Sequence, residues 1–202
     1  MDTPRKNREA RKHLDGKINT IKGLLLDLET NQSLFTVDWF YDKLIMNKNH
    51  EEEARIRRQI KYVSDETLKD KLKTDINKVS QKNVPKPIQV GDVVHIKFGV
   101  GVGHELKEHH FGIVLARKGL MFLIAPLTSK EQDYGSLNYS FDNLNLSKST
   151  KISHVSFCHI RYIHQRRIEN ITTVNNNIRK ISIDIKEVEK ILDNYFQVIK
   201  NN

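Results

Sequence analysis

Apolar residues in the first part of the chain recur at helical spacing. Leu14, Ile18, Ile21, Leu25 and Leu28 alternate by four and three positions, a seam that predicts a helix over residues 4–30. After Asn31-Gln32-Ser33 come Leu34, Phe35, Val37, Trp39, Phe40, Leu44 and Ile45, enough for two apolar faces, which predicts a helix buried against its neighbours. Trp39 and Phe40 are read as core rather than as a platform for a base. Ile56, Ile60 and Val63 either extend that helix or belong to one of their own over 50–63. Leu68, Leu72, Ile76 and Val79 mark a further helix, which Ser64 or Asp65 can cap by accepting backbone N–H bonds. The run Asn83-Val84-Pro85-Lys86-Pro87 then stops helix formation, because proline lacks the donor and disfavours helix in the residue before it. The boundary is placed there, with 1–84 a helical N-terminal extension and 85–202 a second domain.

Beyond the boundary the period changes from helical to strand-like. Strands are predicted over 89–98, 110–117, 121–127, 137–141 and 152–157, short and separated by Gly, Asn and Ser, as in a small barrel. Gly119 stands at the tight turn between the second and third. After Asn175-Asn176-Asn177 the helical spacing returns with Ile185, Val188, Leu192, Tyr195 and Ile199. This second seam fits burial on the barrel, the simpler expectation, or pairing with the first seam in a coiled-coil dimer. The fold class read from these patterns is α+β.

Length and charge narrow the picture further. A chain of 202 residues has room for one full domain and a smaller attachment. No stretch reaches the roughly 18 apolar residues of a membrane span, and the start lacks the apolar run of a signal peptide, so a cytoplasmic, non-membrane protein is expected. Cys158 is alone, which excludes an internal disulfide, and its apolar neighbours predict a buried thiol on a strand. The net charge of +9 is spread, with 19 basic against 14 acidic residues in 1–86 and 15 against 11 in 87–202. Such a balance suits a polyanion such as RNA and suits solubility equally.

Four segments in order resemble one family. Gly91-Asp92-Val93-Val94 opens a strand that runs into Gly101-Val102-Gly103-His104-Glu105, Phe111-Gly112-Ile113-Val114-Leu115 follows, and then Leu123-Ile124-Ala125-Pro126-Leu127-Thr128-Ser129. With His159-Ile160-Arg161-Tyr162-Ile163 and Arg166-Arg167-Ile168 behind them, these are similar to the MazF/PemK-type toxins over about residues 88–175. The resemblance implies an SH3-like barrel, a homodimer, metal-independent cleavage of single-stranded RNA to a 2',3'-cyclic phosphate without any cofactor, and an antitoxin partner. It also implies that an arginine just before the second strand and a hydroxyl after the third carry the chemistry. His110 stands at the arginine position here and Thr128 at the hydroxyl position.

That exchange bears on mechanism. A histidine can move protons near neutrality, whereas an arginine supplies fixed charge and a bidentate fork. His110 is therefore expected as general acid or base, with Thr128 and Ser129 polarising the scissile phosphate. The permanent cation has to come from Lys107, Lys130 or Arg161. His104, Glu105, His109, Lys130 and Arg166 complete the expected RNA contacts, with Arg167 and the cluster Lys148 to Lys151 read equally well as solvated surface. The glycines from Gly99 to Gly103 lack a P-loop ending and read as a hairpin loop over the groove.

No metal site is expected, since His154, His159 and His164 recur every five residues and cannot share one face of a strand. An alternative function is an inactive relative that binds RNA or protein as a regulator. In that case the helical extension could act in cis like an antitoxin, its Glu51-Glu52-Glu53 run mimicking phosphates.

Overall fold

The computed structural model describes residues 4–80, 87–101, 104–146, 152–172 and 177–201. By internal contacts the chain divides into Met1–Lys48 and Asn49–Asn202. The first unit holds α1 (Arg8–Leu26) and the start of α2 (Thr30–Tyr62). Asn7 caps α1, its side chain accepting from the Ala10 N–H at 3.0 Å. None of the described residues of α1 is buried, and the seam residue Ile18 is 53% exposed. The apolar cluster on α2 also departs from expectation: Leu34, Phe40 and Leu44 are more than half exposed and Trp39 is only partly covered, so none of these is core. Each of two helices can give the other only one stripe, and a second apolar face needs another layer to cover it.

Between the two apolar clusters α2 does not break. It runs 33 residues to Tyr62, with no Gly or Pro in it and with Glu52–Arg55 and Glu53–Arg57 pairs at helical spacing. Asp65 caps α3 (Glu66–Val79), accepting from the Leu68 N–H at 3.1 Å. The boundary expected at 84/85 lies outside the described residues.

The second unit carries the sheet. β1 (Asp92–Gly99), β2 (Glu108–Lys118) and β3 (Met121–Thr128) form an antiparallel meander. Lys118 pairs with Met121 across a two-residue turn in which Gly119 takes φ +62°, as expected. β4 (Ser140–Phe141) and β5 (Ser153–Val155) extend the sheet beyond the end of β3. β6 (Arg161–His164) then pairs with β3, and after the turn Gln165–Arg167, β7 (Ile168–Glu169) pairs with β1. The path from β1 through β2, β3, β6 and β7 thus returns to β1 and closes. β8 (Ile171–Thr172) pairs with β9 (Ile178–Arg179), and β10 (Ile181–Ser182) pairs with the start of β1, on the edge away from β2.

Strand alternation sorts the core into two clusters. Val94, Ile96, Phe98, Val114, Phe122, Ile124, Ile163 and Ile168 fill the closed side. Val93, Ile113, Leu115, Ala125 and Leu127 face the other way, where α4 (Ile185–Asn201) covers them with Val188, Ile191 and Val198. The seam expected on α4 is rotated, since Ile185 and Ile199 are exposed and Ile191 is buried instead. A 3.6-residue helix drifts from a strict heptad, and a layer contact follows the drift. The result is an α+β fold of N-terminal helices, an antiparallel sheet and a C-terminal helix.

Candidate active site

His110 enters from β2 opposite Ile96, on the closed side of the sheet, where its ring meets Phe98 edge-on at 6.0 Å between centroids. Half burial lowers its pKa from the usual imidazole value, and the charge of His159 lowers it further. Backbone hydrogen bonds with Leu127 and Lys107, and the charge of Glu108, oppose that shift without cancelling it. The net shift favours the neutral form of the ring. Just before it, Glu108 has φ +59° beside a register shift between Lys97 and Gly99, a bulge of the sort that re-aims the side chains after it.

The expected hydroxyl lies across the hairpin. Gly112 pairs with Pro126, and the same register carried two residues on sets His110 opposite Thr128. Thr128 Oγ1 accepts from the Lys130 N–H at 3.2 Å, which leaves its own O–H to donate. Ser129 and Lys130 follow it, both exposed.

Of the three candidate cations, Arg161 is the one tied to His110 through a shared ring. It projects from β6 with its guanidinium 4.7 Å from the centroid of Phe98, the ring that His110 also touches. Its Nε is buried without a hydrogen-bond partner among the described residues. Burial and the charge of Arg161 lower the pKa of Arg167, whose Nε donates to Lys97 O at 2.8 Å and whose guanidinium also reaches Phe98 O. Lys107, His104 and Glu105 are exposed. Val102 and Gly103 of the glycine loop, and Lys148 to Lys151, lie outside the described residues.

Two expected RNA contacts are placed elsewhere. Arg166 is 7% exposed, bound to Glu53 at 2.5 Å and to Val79 O at 3.4 Å, so in this conformation its charge is already matched. His109 points to the face opposite His110, where it stacks on His95.

A further cluster has no counterpart in the sequence reading. His159 Nδ1 lies 2.8 Å from Ser156 Oγ and 3.1 Å from Cys158 Sγ, and its Nε2 is 3.2 Å from His104 O. The Tyr134 hydroxyl accepts from the Cys158 N–H at 3.1 Å, and burial raises its pKa, with Cys158 adding to the shift. Cys158 itself is exposed, in the turn Phe157–His159, which corrects the expectation of a buried strand thiol. The turn lets its apolar neighbour Phe157 face the core while the thiol points out. His159, Cys158 and His104 are each read in the sequence for other reasons, and Ser156 and Tyr134 join them through the fold alone.

His154, His159 and His164 fall on β5, on that turn and on β6, three separate elements. Among the described residues a different trio, His95, His109 and Glu169, brings one possible ligand atom each within 4.8 Å of the others.

Neither a family model nor a curated protein matches the chain. Among solved structures, it is similar to MazF (Form-I) from Deinococcus radiodurans, at 18% identity and TM-score 0.42, over 58% of this chain and 97% of that one. It is also similar to MazE-MazF (Form-II) from the same organism, at 14% identity and TM-score 0.39, over 58% of this chain and 100% of that one.

Proposed function

We propose that residues 85–202 act as a metal-independent endoribonuclease on single-stranded RNA. The carrying observation is the half-buried imidazole of His110 across from the Thr128 hydroxyl, with the Arg161 guanidinium on the ring that His110 also touches. In this reading neutral His110 takes the proton of the 2'-hydroxyl as it attacks phosphorus. Thr128 and Ser129 donate to the non-bridging oxygens, and Arg161 supplies the fixed charge that His110 does not. His159 is the candidate proton donor to the departing 5'-oxygen, which leaves a 2',3'-cyclic phosphate. Lys107, Lys130 and His104 border the same strand ends and bind the flanking backbone. The resemblance in sequence adds a homodimer and an antitoxin partner to this reading.

The test is purified protein on a long RNA in the presence of EDTA. Cleavage to cyclic-phosphate ends is expected, with losses of about 10²–10⁴-fold in His110→Ala, as for a lost general base. Thr128→Ala and Arg161→Ala are expected to lose activity as well. Undiminished cleavage by His110→Ala would overturn the assignment.

One observation favours a second reading, a restrained regulator. Glu53 places a carboxylate on Arg166, one of the expected RNA contacts. If that contact restrains binding, Glu53→Gln tightens RNA binding; unchanged affinity would remove the idea.

A further inference from the structure

We propose that His95, His109 and Glu169 form a site for a single divalent first-row metal ion, zinc being the best match, on the face of the sheet opposite His110. The ladder itself fixes the three side chains. Glu169 on β7 is directly opposite His95 on β1. His109 on β2 is opposite Lys97 and so lies diagonally from His95 on the same face. One ligand atom from each lies within 4.8 Å of the other two. Around zinc, with bonds of about 2.0–2.2 Å in a tetrahedron, ligand atoms stand roughly 3.4 Å apart. His95 Nδ1 and Glu169 Oε2 are already 3.5 Å apart. Closure asks for side-chain rotation, in particular a turn of the two nearly parallel imidazoles so that both ring planes meet at the ion.

The donor set fits the ion. Two imidazoles and one carboxylate are borderline ligands that suit zinc better than magnesium or calcium, and three protein donors leave a position for water. Lys97 Nζ lies 3.2 Å from Glu169 Oε1, the oxygen that does not face His95. A carboxylate binding through Oε2 keeps Lys97 on Oε1, in the way outer partners hold ligating groups in place. The rings of His95 and His109 stack with centroids 5.1 Å and planes 24° apart, and the Phe111 ring lies 5.3 Å from that of His95. An ion pair would need only His95, Lys97 and Glu169. The trio goes beyond such a pair, because His109 brings a second imidazole to the same point and so completes a donor set that a metal ion can share.

His109 and His110 point to opposite faces of β2, so this ion takes no part in the proposed RNA chemistry and is independent of it. Its effect would be to clamp β1, β2 and β7, the strands where the barrel closes.

The test is zinc titration of the purified, metal-free full chain by calorimetry, with Tm measured in parallel. Saturable binding of a single zinc per chain and a raised Tm are expected. Affinity should fall at least about tenfold in His95→Gln and in His109→Gln, and remain unchanged in His13→Gln. Urea midpoints without zinc show that the variants fold, and Glu169→Gln serves if either does not. Cobalt in place of zinc should give the visible bands of a nitrogen and oxygen site. Absence of saturable binding to the wild type, or undiminished affinity in a His95→Gln, His109→Gln double variant, overturns the proposal.

Discussion

Gly112 shows how tightly single positions are set around the site. A Cβ built there would meet Ile124 Cγ2 at 2.6 Å, Ile96 Cδ1 at 2.7 Å and Ala125 O at 3.1 Å. Those isoleucines fill the closed side of the sheet, so the clash falls on packed side chains and on backbone. Gly112→Ala is expected to destabilise by about 1–3 kcal/mol, the range for overpacking a core, read as a lower urea midpoint at constant m. Gly119→Ala is the contrast. Nothing lies within 4 Å of its added Cβ, so its cost is only that of a positive φ, about 1 kcal/mol. At this scale His110 and Thr128 are legible in the sequence because both sit inside local motifs. Phe98, Ser156 and Tyr134 are not, because what joins them to the site is strand pairing across tens of residues, and Arg161 is legible only as one of three candidate cations until β6 pairs with β3. The exposure of Cys158 is illegible for another reason: a turn places it, and alternation carries no information about turns.

Among elements, the second half of α2 is attached through charge. Arg166 is buried against Glu53, while Glu53 also holds the exposed Arg57. Breaking the first contact leaves a buried guanidinium without its anion and costs about 3–5 kcal/mol. Losing the second removes one surface pair worth roughly 0.3–0.5 kcal/mol. Glu53→Ala should thus be far more destabilising than Arg57→Ala in urea unfolding, and equal effects would remove the buried pair from the account. His164 adds a pH dependence to the same junction. Burial lowers its pKa first, the charges of His50 and Arg166 lower it further, and Glu53 opposes them. With the folded value below the unfolded one of about 6.5, the folded state resists protonation, so stability is full above that pH and falls as pH drops below it. The fall from pH 7.5 to 5.5 should be shallower in His164→Asn than in the wild type, with Asn replacing the ring nitrogen that accepts the Arg166 N–H at 3.2 Å.

The long helices and the three-stranded meander are legible because their periods run over many residues. β4 keeps only the last two residues of the strand expected over 137–141, and β6 to β10 are two to four residues long, too short for alternation to register, existing because neighbouring strands offer free edges. The buried state of the first apolar clusters is not legible either, since period reports which residues share a face and not what covers it.

Over the whole molecule, stability is unevenly shared. Among the described residues Ile56 is the first buried apolar one, and the two core clusters draw all their buried members from residue 88 onward. Amide exchange should accordingly be slowest in β1, β2 and β3, near the global unfolding limit, and faster by orders of magnitude over α1, which has no buried residue to hold it. Protection in α1 equal to that in β3 would contradict this distribution.

The closure of the barrel also sets an order in time. The hairpins from β1 to β3 join residues near in sequence, and that stretch brings His110 and Thr128 together. Arg161 arrives only with β6, and β7 must find β1 across more than 70 residues of chain. Pairings over such distances form late, because the loop has to be closed before any contact rewards it. A chain still emerging from the ribosome would therefore hold the imidazole and the hydroxyl in register while lacking the cation. The proposed nuclease would acquire its charge last, after the message that encodes it has been read.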